Sequence, residues 1–401
     1  MIRFAQRLAP LERNVFADMD RAKATAIAAG RDLIDLSLGS SDLPTAQPVL
    51  DVIARSLEDQ ATHQYLLFNN TQAFRRAAAQ WYTDRYGISV DAETEVLPLI
   101  GSQEGTAHIP LALLEPGDYA LLQDPGYPSH SGGVHLAGGQ IHPMPLLAEH
   151  DFLPDLGAIP NHVLDRAKLM VLSYPHNPTS AIASLDFFRD AVAFCDRYDL
   201  VLVHDFPYGD LVFSDHRPPS VLQADREKRR SIEFFTMSKS YNMGGFRVGY
   251  AIGNADLILA LRRIKAAVDF NQYRGILNGA IEALTGDQTG VTRTVETFRA
   301  RRDALVAALA AIGWAVPTPE ATMYLWAKLP EPWAADSIGF CVQLVQETGV
   351  ALAPGAGFGV NGEGYVRFAL VQEPDVLQVA ADRLAHFFSE PESKPRKLAT
   401  A

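Results

Sequence analysis

The chain of 401 residues has only two cysteines, Cys195 and Cys341. Both stand in apolar, helix-like text (AVAFCDRY and IGFCVQLV), and neither belongs to a CxxC pair or a His/Cys array. A disulfide framework and a structural zinc site are therefore not expected, and two reduced, buried thiols are. Positive charge is also in deficit. There are 35 Lys and Arg against 47 Asp and Glu, a formal net charge of −12. A nucleic-acid binder would normally carry a basic stripe instead. No apolar run approaches the roughly 18 residues of a membrane span. The opening MIRFAQRLAPLERNVFADMD breaks each of its apolar runs with charge, which a secretory leader does not do. These absences leave a soluble, cytoplasmic protein as the expectation, with no metal and no repeat architecture. A single core stops growing at roughly 250–300 residues, so a large domain and a smaller one are expected.

Short apolar runs alternate with helical text through the middle of the chain. Ala120–Gln123, Leu169–Leu172, Leu200–Val203, Phe234–Met237 and Val248–Ile252 each read as a strand buried on both faces. Leu185–Tyr198 carries apolar residues at helical spacing. That alternation implies an α/β fold with a mainly parallel sheet covered by helices. After about Ala280 the text changes. Val291–Ile312 reads as a long helix, Ala321–Lys328 and Gly364–Leu370 as strands, and Asp375–Phe388 as a last helix. The expected division is an N-terminal segment 1–40 packed on the small domain, a large domain 41–285, a small α+β domain 286–388, and a disordered polar tail 389–401.

In a parallel sheet, ligands bind beyond the carboxyl ends of the strands. The polar motifs that end these runs are thus the candidates for chemistry. In TMSKSYNMGGFRVG, Thr236–Gly249, Lys239 follows a strand among hydroxyl residues, and Arg247 comes after two glycines. Desolvation at such a place makes an amine nucleophilic, and an arginine fork fits phosphate; an ordinary surface lysine is the other reading. In HDFPYGDL, Asp205 closes an apolar strand, where a carboxylate needs a cation or a strong donor as partner unless it merely caps a helix. In YPHNPTS, Asn177 either bonds a ligand oxygen or simply makes an Asn-Pro turn. GSQEG, Gly101–Gly105, opens a helix-like segment through Leu113, either a phosphate cradle or a plain N-cap. In DPGY, Tyr127 could stack on a flat ligand or belong to a turn. GFGVNG, Gly357–Gly362, matches a dinucleotide fingerprint in letters only. It has no clear preceding strand of a βαβ unit and leads into a strand-like run.

Taken in order, these segments resemble the class I/II aminotransferases of pyridoxal-phosphate fold type I, from about Ile34 to Phe388. GSQEG, LLEPGDYALLQDPGYPSH and SKSYNMGGFRVGY are closest in look to the subgroup of alanine and LL-diaminopimelate aminotransferases. The resemblance implies pyridoxal 5′-phosphate as cofactor and a seven-stranded, mainly parallel sheet between helices. It implies amino transfer from an L-amino acid, such as alanine, aspartate or LL-diaminopimelate, to 2-oxoglutarate or pyruvate by a ping-pong mechanism. The alternative on the same scaffold is a β-C–S lyase or a related elimination or decarboxylation enzyme. By position, Lys239 matches the Schiff-base lysine, Asp205 the partner of the ring nitrogen, and Tyr208 and Asn177 the partners of the phenolic oxygen. Tyr127 matches the stacking ring. Ser102, the backbone of Gln103, Thr236, Ser238 and Arg247 match the phosphate cup. Arg367, in GEGYVRFAL, and Gly39, in LSLGSSDLPT, match the site of the substrate α-carboxylate. Tyr65, in YLLFNNTQAFR, matches a tyrosine that reaches the neighbouring subunit's phosphate, which implies a homodimer with shared sites. The sequence departs from the family at Asn70, Thr236, Ser180 and the run DFNQYRG. In that run, Arg274 either reads a distal substrate carboxylate or serves a surface or dimer contact.

Overall fold

A computed structural model of the chain describes residues 2–11, 15–214 and 217–389. Twelve strands occur among them: β1 Ile34–Asp35, β2 Val96–Leu99, β3 Tyr119–Asp124, β4 Gln140–Pro145, β5 Ala167–Leu172, β6 Val201–Asp205, β7 Ser231–Thr236, β8 Gly249–Gly253, β9 Tyr324–Lys328, β10 Val350–Ala351, β11 Ala353–Pro354 and β12 Tyr365–Ala369. Seven of them form one sheet in the order β2-β8-β7-β6-β5-β3-β4. The pairs from β7 through β6, β5 and β3 to β4 are parallel; β8 runs against both of its neighbours.

The sheet is covered on both faces because its strands are apolar on both faces. Leu121, Met170 and Leu202 enter one buried cluster, while Leu122, Val171 and Val203, the next residues along, enter another. That is the period of two of a pleated strand, with no polar side left over. Between β5 and β6 runs the helix Leu185–Tyr198. Ser184 caps it, accepting from the Phe187 amide at 3.1 Å. Its buried Phe188, Ala191, Val192 and Cys195 form the stripe that faces the sheet.

A second core lies around the three-stranded antiparallel sheet β11-β12-β9. Trp333, Phe340 and Phe387 are fully enclosed there. The helix Thr289–Ala311 lies on the last helix, Pro374–Ser389, and Val15–Ala28 lies on Ser337–Thr348. β1 pairs with β10 in parallel. One part of the N-terminal segment departs from the sequence reading: the turn Gln6–Leu11 packs on the helix Pro128–Ala137 of the large sheet, not on the second core. The tail expected to be disordered lies outside the described residues apart from Ser389, which closes the last helix. Among the described residues, no helix is long and apolar enough to cross a membrane.

Candidate active site

The carboxyl ends of the parallel strands open into a cavity of about 690 Å³. Strand ends supply most of its floor. Tyr127 follows β3, Asn177 follows β5, Asp205 ends β6, Tyr208 comes just after it, and Thr236, Ser238 and Lys239 come at and after β7. The helix Ser102–Leu113 points its N-terminus in, with Ser102 and Gln103 at the wall. Arg247 arrives from the far side of the same loop as Lys239. Gly39 and Arg367 complete the enclosure. Twelve of the residues singled out in the sequence therefore line one space. Tyr65 and Arg274 do not. Tyr65 is 87% exposed, its ring edge-on to Phe270, and Arg274 begins the helix Arg274–Thr285 away from the cavity wall.

Asp205 is 4% exposed. One of its oxygens, Oδ2, lies 3.0 Å from His130 Nε2. The other, Oδ1, is buried with no hydrogen-bond partner. A buried carboxylate oxygen left unpaired is costly, so this atom calls for a cation or donor inside the cavity. Lys239 Nζ donates to the Gly39 carbonyl at 2.6 Å and stands 5.7 Å from the centre of the Tyr208 ring. Arg367 is 5% exposed. Its Nη1 donates to Asn177 Oδ1 and its Nη2 to the Ser37 carbonyl, both at 2.8 Å. Its guanidinium carbon lies over two rings, 4.2 Å from the centre of Tyr324 and 4.7 Å from that of Phe358.

The wall by Arg247 is shaped for an anion. Gly101, at φ +77°, precedes the helix, and a Cβ there would lie 2.7 Å from Arg247 Nη2. Only glycine lets the backbone come that close at that φ. Thr236 Oγ1 donates to Ser238 Oγ at 2.9 Å beside it. Free N–H groups at a helix start, hydroxyls and a guanidinium are the usual surroundings of a phosphate.

Several groups here escaped the sequence reading. His130 stands three residues after Tyr127 on the helix that Pro128 opens, so helical spacing was a signal for it. Tyr324 had none, since its place depends on how β9 pairs with β12. GFGVNG is built as two short 3-10 turns and no α-helix, docked on the DPGY turn: the Gly126 amide donates to the Phe358 carbonyl at 2.8 Å, and Asn361 Nδ2 to Asp124 Oδ2 at 2.9 Å. Burial pushes the Asp124 carboxyl above the usual range, although the two Asn361 hydrogen bonds act against it. Among the described residues, Glu104, His108 and Asp269 could together hold a metal ion. The Lys265 ammonium, however, sits 2.9 Å from each Glu104 oxygen.

A lysine on a strand-end loop, a carboxylate with one oxygen awaiting a partner and a phosphate-shaped wall fit pyridoxal phosphate. With this sheet order they define a pyridoxal-phosphate enzyme of fold type I. The model of the family "aminotransferase class I and II" matches residues 31–384, and the chain belongs to that family. It is 41% identical over 389 residues, 97% of this chain and 100% of the other, to an LL-diaminopimelate aminotransferase of Dehalococcoides mccartyi. It is similar in structure to a probable N-succinyldiaminopimelate aminotransferase of Thermus thermophilus, with a TM-score of 0.88 at 42% identity, covering 93% of this chain and 99% of that one. The BacF structure from Bacillus subtilis gives a TM-score of 0.92 at 31% identity, covering 96% and 98%. The protein is thus a pyridoxal-phosphate-dependent aminotransferase acting on an amino acid and a 2-oxo acid; the lyase alternative is not favoured.

Proposed function

We propose that the chain transfers the α-amino group of LL-diaminopimelate to 2-oxoglutarate, with Lys239 as the cofactor-bearing base. The observation that carries the assignment of the site is the unpaired Asp205 Oδ1, buried in the same cavity as Lys239 and Arg367. The donor rests on the relatives named above and on a cavity roomy enough for a cofactor and a long substrate. Bound pyridoxal phosphate supplies an aldehyde for imine formation and a ring that takes up the electron pair left at the substrate's Cα. Asp205 holds the proton on the ring nitrogen. Tyr208 and Asn177 donate to the phenolic oxygen, and the Tyr127 ring stacks on the cofactor's face. Ser102, Gln103, Thr236, Ser238 and Arg247 hold the phosphate. Arg367 grips the α-carboxylate with its fork, beside Gly39, and so turns the Cα–H bond toward Lys239. Lys239 Nζ then takes the Cα proton and returns it one carbon further on.

The same reading divides the chain into a large domain 41–285 and a small one 286–388, the latter joined by the N-terminal segment apart from its turn Gln6–Leu11. The two separate apolar cores support that division. It also makes the protein a cytoplasmic homodimer in which Tyr65 serves the neighbour's phosphate and Arg274 the neighbour's substrate. Support comes from the exposed Tyr65, Leu38 and Leu67 and from the segment 269–274. In that segment, buried polar atoms of Asp269, Asn271, Gln272 and Arg274 lack hydrogen-bond partners.

Borohydride reduction of the holoenzyme, followed by peptide mass mapping, tests the core of the reading. The cofactor mass should appear on the peptide holding Lys239, and its appearance on any other lysine would sink the assignment. A panel of donors with 2-oxoglutarate tests the substrate. LL-diaminopimelate should have the largest kcat/KM, and a larger value for alanine or aspartate would refute it.

A further inference from the structure

Tyr324 lines the cavity beside Arg367, yet it has no part in the proposed chemistry. It is 1% exposed, and its position is set by the backbone before it. Thr322 holds φ +73°, an uncommon and costly conformation for a β-branched residue. The Thr322 amide donates to the Leu211 carbonyl at 2.8 Å, and its hydroxyl accepts from the Tyr324 amide at 3.1 Å. Ser180 Oγ, from the Asn177 loop, donates to the Tyr324 carbonyl at 3.0 Å. In the sheet, Tyr324 pairs with Ala369, two residues past Arg367. The backbone that carries the ring is thus held by the Thr322 turn, by Ser180 and by the sheet.

It makes two contacts with the site. Its face carries the Arg367 guanidinium at 4.2 Å, a cation–π distance. Its hydroxyl lies 2.9 Å from the Tyr208 hydroxyl. The charged and titratable groups that face it are Lys239, Arg367 and Tyr208, with Tyr127 close by. Burial pushes the Tyr324 phenol up, but the Lys239 and Arg367 charges and the Tyr208 hydrogen bond outweigh it, so the net direction is down. Burial drives Tyr208 well up, and its neighbour Tyr324 adds to that. Either hydroxyl can donate across that 2.9 Å, and only with Tyr324 as the donor does Tyr208, which lines the same cavity, keep its proton for a ligand.

Resting on the reading of Tyr208 as a cofactor contact, we propose that Tyr324 is a positioning residue: it donates its proton to the Tyr208 oxygen and so leaves the Tyr208 proton for the cofactor's phenolic oxygen. Each hydroxyl has one proton to give. A Tyr208 that donated to Tyr324 instead would have none for the ligand. Receiving a hydrogen bond also makes Tyr208 a stronger donor, because chained hydrogen bonds polarise one another. Through its ring, the same side chain holds the plane of Arg367. One residue thereby joins the contact to the cofactor with the contact to the substrate carboxylate.

The test is a pH titration of the holoenzyme's visible absorbance band in the wild type, Tyr208→Phe, Tyr324→Phe and the double variant. A phenolic oxygen that loses a donor becomes more basic, so the midpoint rises. Tyr208→Phe should raise it by about one unit, the scale of a hydrogen bond to a charged group. Tyr324→Phe should raise it by about half as much, and the double variant no further than Tyr208→Phe alone. An unmoved midpoint in Tyr324→Phe, or additive shifts, would overturn the proposal while leaving Tyr208 as the cofactor contact. An unmoved midpoint in Tyr208→Phe overturns that underlying reading. Tyr324→Phe keeps the ring, so the KM for the amino donor should stay within about twofold, whereas Tyr324→Leu should raise it about fivefold. An unchanged KM in Tyr324→Leu refutes the link to Arg367.

Discussion

The two sheets meet at one cavity but furnish it differently. The seven-stranded sheet offers groups from the ends of its strands and the loops beyond them, namely Asp205 and then Tyr127, Asn177 and Lys239. The three-stranded sheet offers groups held by strand pairing, Tyr324 from the first rung of β9 and Arg367 from the middle of β12. A loop can change without disturbing its sheet, whereas a residue inside a strand is fixed by register. As proposed, the strand ends and loops of the larger sheet then hold the cofactor, and Arg367 inside the smaller one holds the substrate. Damage to the two should then separate in experiment.

The largest effect should come from the core of the smaller sheet. Trp333 is buried against Phe340 and Phe387, and Trp333→Ala should cost about 3–5 kcal/mol in urea unfolding. At zero urea the cofactor absorbance band should persist. Its loss would erase the distinction drawn here. Next comes Asp205→Ala, which should lower the rate of the donor half-reaction roughly 10²–10³-fold in stopped flow, the scale of a lost charge-stabilising group. Donor binding should change little, and a KM effect as large as the rate effect would break the comparison. Arg367→Ala should do the reverse. It should raise the donor KM about 10–100-fold, as expected for a lost charged hydrogen-bond pair, with a smaller effect on the rate of the half-reaction.

The smallest effect lies at the seam between the two sheets. Asp124 ends β3 and accepts from Asn361, beside β12. Burial holds its carboxyl above the ordinary carboxylate range, the Asn361 hydrogen bonds only partly offsetting this. A raised carboxyl stabilises the fold fully below its unfolded pKa, and that contribution is lost as pH rises through the folded value. Asp124→Asn should therefore raise the Tm at pH 8 by a degree or so, on the order of a few tenths of a kcal/mol, and not at pH 3. A gain at both pH values would refute the assigned cause.

The contrast also explains what could be read in advance. Lys239, Asp205 and Asn177 are legible because a polar motif abruptly ends an apolar run, and that break is local. Tyr324 and His130 reach the cavity through strand pairing and helix packing, which no short motif records. The missed strands have a different cause. β2 contains Pro98, and β4 contains Pro143 and Pro145, residues that argue against a strand inside a sheet. These are the two edges of the seven-stranded sheet, where a missing amide costs little. The chain's own rule for edges thus hid them.

The reversed direction of β8 has one more consequence. Thr236 pairs directly with Gly249, so the chain leaves and rejoins the sheet at a single rung. A parallel successor would have needed a crossover of a dozen or more residues, usually a helix. Instead the lysine and Arg247 travel on one short excursion, moored at both feet. The distance between the reactive amine and the anion-facing guanidinium is therefore a local property of the chain, one that distant remodelling of the scaffold leaves alone.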